Sequence, residues 1–122
     1  MFDDLSPIYR QIADRIKADV ASGVLGPDAQ VMSTNQYASF YGINPATAQK
    51  AFQQLVDEGV LYKKRGLGMF VSPGAREVLL ADKRTRYFDA VLGPALDEAD
   101  AIGISPADLR DFLEARIKRR TP

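Results

Sequence analysis

The 122-residue sequence predicts a mainly α chain carrying one small β-hairpin, and three observations support this. Apolar residues recur at helical spacing in stretch after stretch, most of them opened by a cap-type residue or proline and closed by glycine. One short stretch breaks that habit: β-branched and aromatic residues flank Arg65-Gly66-Leu67-Gly68, which reads as two strands and a turn. The order matters as well, because the hairpin comes directly after two helices separated only by Gly42-Ile43-Asn44.

Taken in sequence, Ser6-Pro7 reads as a helix opening, with Ser6 as cap and Pro7 in the first helical position. Ile8, Ile12, Ile16 and Val20 come next at four-residue spacing with Tyr9 and Ala13 beside them, and Gly23 ends the run. Gly26-Pro27-Asp28 reads as a turn. Ser33 and Gln36 form an S-x-x-Q capping box, starting a short helix over Thr34–Tyr41 that buries Tyr37 and Ala38, with Tyr41 as a further candidate. Asn44 caps the next helix and Pro45 fits its first turn. Ala48, Ala51, Phe52, Leu55 and Val56 form its buried stripe. Two helices joined so tightly make a helix-turn-helix, and a hairpin placed next is the wing of a winged helix.

Composition narrows the function. The chain has no Cys and no His, which removes disulfides, thiolate metal sites, the commonest metal ligand and the usual general base. No metal, cofactor or catalytic residue is expected, and the chain does not read as an enzyme. Asp97, Glu98 and Asp100 read as a solvated helix face. No apolar run approaches the roughly 20 residues of a membrane span. The first ten residues have acids where a secretory leader has bases, so the expected location is cytoplasmic.

Net charge is zero, with seven residues of each sign in residues 1–74 and nine of each in 75–122. Affinity for a polyanion must therefore come from local concentration of charge. Two places offer it. The exposed face of the third helix carries Ala46, Thr47, Gln49, Lys50 and Gln53, with no acid before Asp57. It suits approach to phosphates and base edges, and equally an ordinary solvated helix face. The hairpin tip holds Lys63, Lys64 and Arg65 beside Gly66 and Gly68. There, basic side chains serve phosphate contact or simple solubility, and the glycines let backbone approach closely. Coming after a helix-turn-helix, the tip favours nucleic acid.

Residues 7–71, in the ordered segments "PIYRQIADRI", "SGVLGPDAQV", "STNQYASFYGINPATAQKAFQQLVDEGVLY" and "KKRGLGMFV", resemble the winged-helix DNA-binding domain of the GntR family of bacterial transcription regulators. The short remainder resembles the YtrA subfamily, whose members often repress operons that include ABC transporter genes. The resemblance implies contact with double-stranded operator DNA through Ser33, Asn35, Asn44, Pro45, Ala46, Thr47, Gln49, Lys50, Lys63, Lys64, Arg65, Gly66 and Gly68. The family usually has Leu-Pro-Ser where this chain has Val31, Met32 and Ser33, and arginine where it has Asn35, Pro45 and Gln49. Arginine reads guanine, whereas Asn and Gln favour adenine, so a different target sequence is implied.

Residues 75–122 form the second expected domain, after a winged helix of residues 1–74. Val78, Leu79, Tyr87, Phe88, Val91, Leu92, Leu96, Ala99 and Ile102 recur at helical spacing, with a kink or break expected at Gly93-Pro94. Ser105-Pro106 opens a last helix with the stripe Leu109, Phe112, Leu113 and Ile117. Two helices cannot cover both apolar faces between themselves, and the missing surface is expected from a second copy. Leu79, Tyr87, Phe88, Val91, Leu92, Leu109, Phe112 and Leu113 are the expected dimer contacts; the alternative is packing back onto the chain's own winged helix. The expected function is a homodimeric repressor on a palindromic operator, with room left for a small-molecule effector of unspecified kind. A winged-helix adaptor that binds protein instead of specific DNA is the alternative.

Overall fold

The computed structural model describes residues 5–120. Asp3 and Asp4, on which the leader reading leaned, lie outside the described residues. The order is α1 (Ile8–Ser22), α2 (Thr34–Tyr41), α3 (Pro45–Asp57), β1 (Leu61–Lys64), β2 (Gly68–Val71), α4 (Ala75–Tyr87), α5 (Gly93–Ala101) and α6 (Pro106–Arg120), with a π-helical turn, Phe88–Leu92, between α4 and α5.

The chain forms two units, divided between Asp82 and Lys83 inside α4. The expected division at Gly74 lies earlier in the chain. Ala75, buried, and Leu79, half-buried, pack on the first unit's core, so the start of α4 belongs with it.

In the first unit, Ile12, Ala13, Ile16 and Val20 of α1 meet Tyr37 of α2 and Ala51, Phe52 and Leu55 of α3, and Leu61 and Val71 close the core from the hairpin. Ile8, expected in the α1 stripe, is exposed at the helix start. The α1 cap also differs from expectation. Pro7 itself is the cap, in extended backbone with ψ 142°, and its carbonyl accepts from Arg10 and Gln11. Ser6 makes no side-chain cap; its carbonyl accepts from Gln11 Nε2 at 2.8 Å. Proline in this conformation can start the helix because it needs only an acceptor there.

The capping box of α2 is present, with Gln36 N–H donating to Ser33 Oγ at 3.1 Å and Ser33 N–H to Gln36 Oε1 at 3.2 Å. Asn44 Oδ1 accepts from Ala46 N–H at 2.8 Å and starts α3. Gly59, at φ +78°, ends α3 in a Schellman turn, with Val60 N–H reaching Leu55 O. The left-handed residue there redirects the chain straight into β1.

The hairpin pairs Leu61 with Val71, Tyr62 with Phe70, Lys63 with Met69 and Lys64 with Gly68. Residues 28–31, of which the sequence reading placed only Asp28, in a turn, run beside β2. Asp28 N–H donates to Val71 O, Val71 N–H to Ala29 O and Val31 N–H to Met69 O, each at 2.9 Å. Periodicity could not show this, because the segment is too short and too close to glycine and proline to carry a strand pattern.

In the second unit, the break expected at Gly93-Pro94 takes the form of the π-helical turn, where Gly93 N–H donates to Phe88 O. Proline lacks an N–H and crowds the preceding turn, and a widened turn accommodates it without ending the helix. Ser105 Oγ accepts from Asp108 N–H at 3.1 Å and caps α6, as its sequence predicts. Ala99 is the one buried residue among those described from Lys83 onward. Among the described residues, no helix is long and apolar enough to cross a membrane.

Candidate nucleic-acid interface

Antiparallel pairing alternates side chains across the hairpin, so three consecutive cations cannot act as one patch. Lys63 shares its face with Met69 and looks toward α3. Lys64 lies on the other face, its ammonium 5.0 Å from the centre of the Phe70 ring and 5.9 Å from that of Tyr62. Arg65 sits in the turn, where Leu67 N–H closes onto Lys64 O at 3.0 Å. Gly66, at φ +77°, takes the position that requires positive φ in a type II turn.

Between the hairpin and α3 lies a groove of about 630 Å³, lined by Thr34, Ala46, Gln49, Lys50, Gln53, Lys63, Gly68 and Met69. Two ammonium groups, two carboxamides and a hydroxyl face it, and among the described residues no carboxylate lines it. Gln53 donates to Asp57 Oδ1 at 2.9 Å, which ties up the nearest acid on α3. The α3 amino terminus opens nearby with no acid in its first turn, so no charge within that turn offsets the positive end of the helix dipole.

A second groove, of about 430 Å³, flanks α3 on the α1 side and is lined by Ile8, Tyr9, Ala46, Thr47 and Lys50. Lys50 connects the two, because its ammonium lies 4.2 Å from the centre of the Tyr9 ring. That cation–π contact favours one direction for a long flexible side chain.

The expected site residues therefore separate. Ala46, Gln49, Lys50, Lys63 and Gly68 gather on the wing-side groove, and Thr47 lies on the α1 side. Asn44 and Pro45 build the start of α3, and Ser33 spends its hydroxyl on the α2 cap. Asn35 instead lines a different groove, with Met32, Gln36, Ser39 and Phe40. Sequence reasoning missed Thr34, Met69 and Tyr9. The register Lys63 opposite Met69 was the available signal for Met69; the contact between Tyr9 and Lys50 had none, as they lie on different helices.

The arrangement presents hydrogen-bonding amides beside cations on the exposed face of α3, with a basic turn to one side. This suits a polyanion whose interior edges are also read.

The family model described as "Bacterial regulatory proteins, gntR family" matches residues 8–71. The chain is 32% identical over 109 residues to the HTH-type transcriptional repressor YtrA of Bacillus subtilis, covering 89% of this chain and 83% of that one. It spans only 30%, 32% and 27% of the length of three other curated relatives it matches. A transcriptional regulator from Oenococcus oeni superposes with TM-score 0.79 at 26% identity, covering 96% of each chain. The AraR DNA-binding domain in complex with operator ORX1 superposes with TM-score 0.54 at 30% identity, over 59% of this chain and 92% of that one.

Proposed function

Because this chain belongs to the GntR family of bacterial regulatory proteins, with YtrA-like similarity over most of its length, we propose that it is a cytoplasmic transcriptional repressor that binds a palindromic operator as a homodimer. The observation that carries the reading is the groove between α3 and the wing, which gathers Gln49, Lys50, Gln53 and Lys63 and, among the described residues, is lined by no carboxylate. Within it, Gln49 reads base edges, and Lys63 holds phosphate. Thr47 and Lys50 extend the contact along α3, and Arg65 with Gly66 meets the backbone or minor groove at the wing tip. Residues 75–122 join two copies and set the spacing of the two α3 helices, with Tyr87, Phe88, Val91, Phe112 and Leu113 as principal contacts. Their exposure in the single chain supports this assignment. Occupying the operator blocks initiation sterically.

The test is selection of bound duplexes from a random DNA pool at near-physiological salt, followed by sequencing. The expected product is an inverted repeat whose half-sites lie about one helical turn of DNA apart, or a multiple of it. Absence of any enriched sequence would overturn the reading in favour of a protein-binding adaptor.

A further inference from the structure

A segment that precedes α2 braces the wing. Gln30 forms an isolated bridge with Phe70 and extends its side chain to the wing turn, where Nε2 donates to Leu67 O at 2.8 Å. Two residues earlier, Asp28 Oδ1 accepts from Tyr62 OH at 2.6 Å. Asp28 itself holds φ +60°, rare for a residue with a Cβ, and so aims its carboxylate in a set direction. Both braces come from the segment that leads into the Ser33 cap of α2, so the hairpin is referenced to the helix pair through side chains as well as backbone.

The Gln30 contact is the one that reaches the tip. Leu67 has its N–H held by Lys64 O and its carbonyl held by Gln30, which fixes the end of the turn that carries Arg65 and Gly66. Gly68 leaves the room this needs. A Cβ built there would lie 3.0 Å from Gln30 Nε2, and the residue holds φ +123°. Sequence reading assigned Gly68 to close approach of DNA; the structure shows Gln30 occupying the space beside it.

We propose that Gln30 is a positioning residue for nucleic-acid engagement, its carboxamide holding the wing turn in the one arrangement that presents Arg65 together with the α3 groove. The inference rests on the DNA-binding reading above. Without the brace the turn samples other conformations, and only the competent fraction binds, so affinity falls by that fraction while the bound contacts stay the same. A single net hydrogen bond of this kind corresponds to roughly a two- to tenfold population change, and the exposed setting places the effect near the lower end.

The experiment compares Gln30→Met, which keeps length and bulk but removes the donor, with Arg65→Ala in the full chain on random-sequence duplex DNA over a salt series. Gln30→Met should weaken binding roughly threefold at every salt concentration, leaving the slope of log K against log salt at the wild-type value. Arg65→Ala should flatten the slope by about 0.9, the signature of a lost phosphate contact. In the free protein, the Leu67 and Gly68 amide resonances should shift and exchange faster in Gln30→Met, with those of Phe52 and Leu55 unchanged. Wild-type affinity in Gln30→Met, a flattened slope, or core amides moving with the tip would each overturn the proposal. If the wild-type protein shows no salt-dependent duplex binding, the regulator reading fails by itself. The amide comparison then still decides whether Gln30 holds the turn.

Discussion

The two units handle the same apolar periodicity in opposite ways. In the first, Ile12, Phe52 and Leu55 are at most 1% exposed; in the second, Phe88, Phe112 and Leu113 remain 64%, 61% and 58% exposed. Both sets recur at helical spacing. The difference lies in the number of surfaces available. α1, α2, α3 and the hairpin approach one another from several directions, so each apolar face meets two or more others. The second unit has the end of α4, the π-helical turn, α5 and α6, and Ala99 alone among its described residues is buried. Periodicity announces that a face is apolar; it does not say what covers it.

The sharpest test of this contrast is truncation of matched aromatics. Phe52→Ala should cost about 3–5 kcal/mol by opening a cavity in a filled core, read from urea unfolding. Phe112→Ala, at low protein concentration, should leave the unfolding midpoint of the winged-helix unit nearly unchanged. A comparable loss at both positions would erase the distinction.

Placing charge on the open face sharpens the comparison from the other side. The double variant Phe88→Glu with Phe112→Glu should convert the proposed dimer to a monomer in sedimentation equilibrium, raising the dissociation constant by at least about tenfold, while helical circular dichroism is retained. A dimer that persists would show that the copies meet through another surface.

The smallest effect concerns a contact internal to the first unit. Burial pushes the Glu58 carboxyl upward, but hydrogen bonds from Lys17 Nζ at 2.8 Å and Gln54 Nε2 at 3.1 Å outweigh it and hold its pKa below the ordinary value. A depressed carboxylate pKa gives stability that is fully present above the unfolded value, about 4.3, and lost as pH falls through the folded one. Glu58→Gln should therefore lower stability by a few tenths of a kcal/mol at neutral pH, an amount ordinary for a partly exposed ion pair, and flatten the acid-side dependence of the urea midpoint. An acid limb equal to the wild type's would show that the pair contributes nothing to stability.

Much of the fold was legible because its signals are local. The Ser33 and Gln36 box, the Asn44-Pro45 opening, Gly59 and the Ser105 cap each act within a few residues, so sequence spacing is enough to find them. The α1 cap was misplaced by one residue, since Ser6 and Pro7 both satisfy the opening rule and only backbone dihedrals distinguish them. The candidate site was less legible. The residue types around α3 and the wing were apparent, but their partition was not. Strand register sends Lys63 and Lys64 to opposite faces, Lys50 leans on a ring from α1, and Asn35 lines a groove separate from that of Gln49.

Which segments become helices or hairpin, the order that makes them a winged helix, and the absence of imidazole and thiol chemistry all follow from residue identity and short spacing. That residues 28–31 run beside β2, that Gln30 reaches the wing turn, which cations share a groove and which apolar stripes find cover depend instead on how the elements pack. Those outcomes join residues from 37 positions apart, as with Gln30 and Leu67, or 41, as with Lys17 and Glu58. At such separations geometry is set by the packing of whole elements, and short-range sequence patterns carry no record of it.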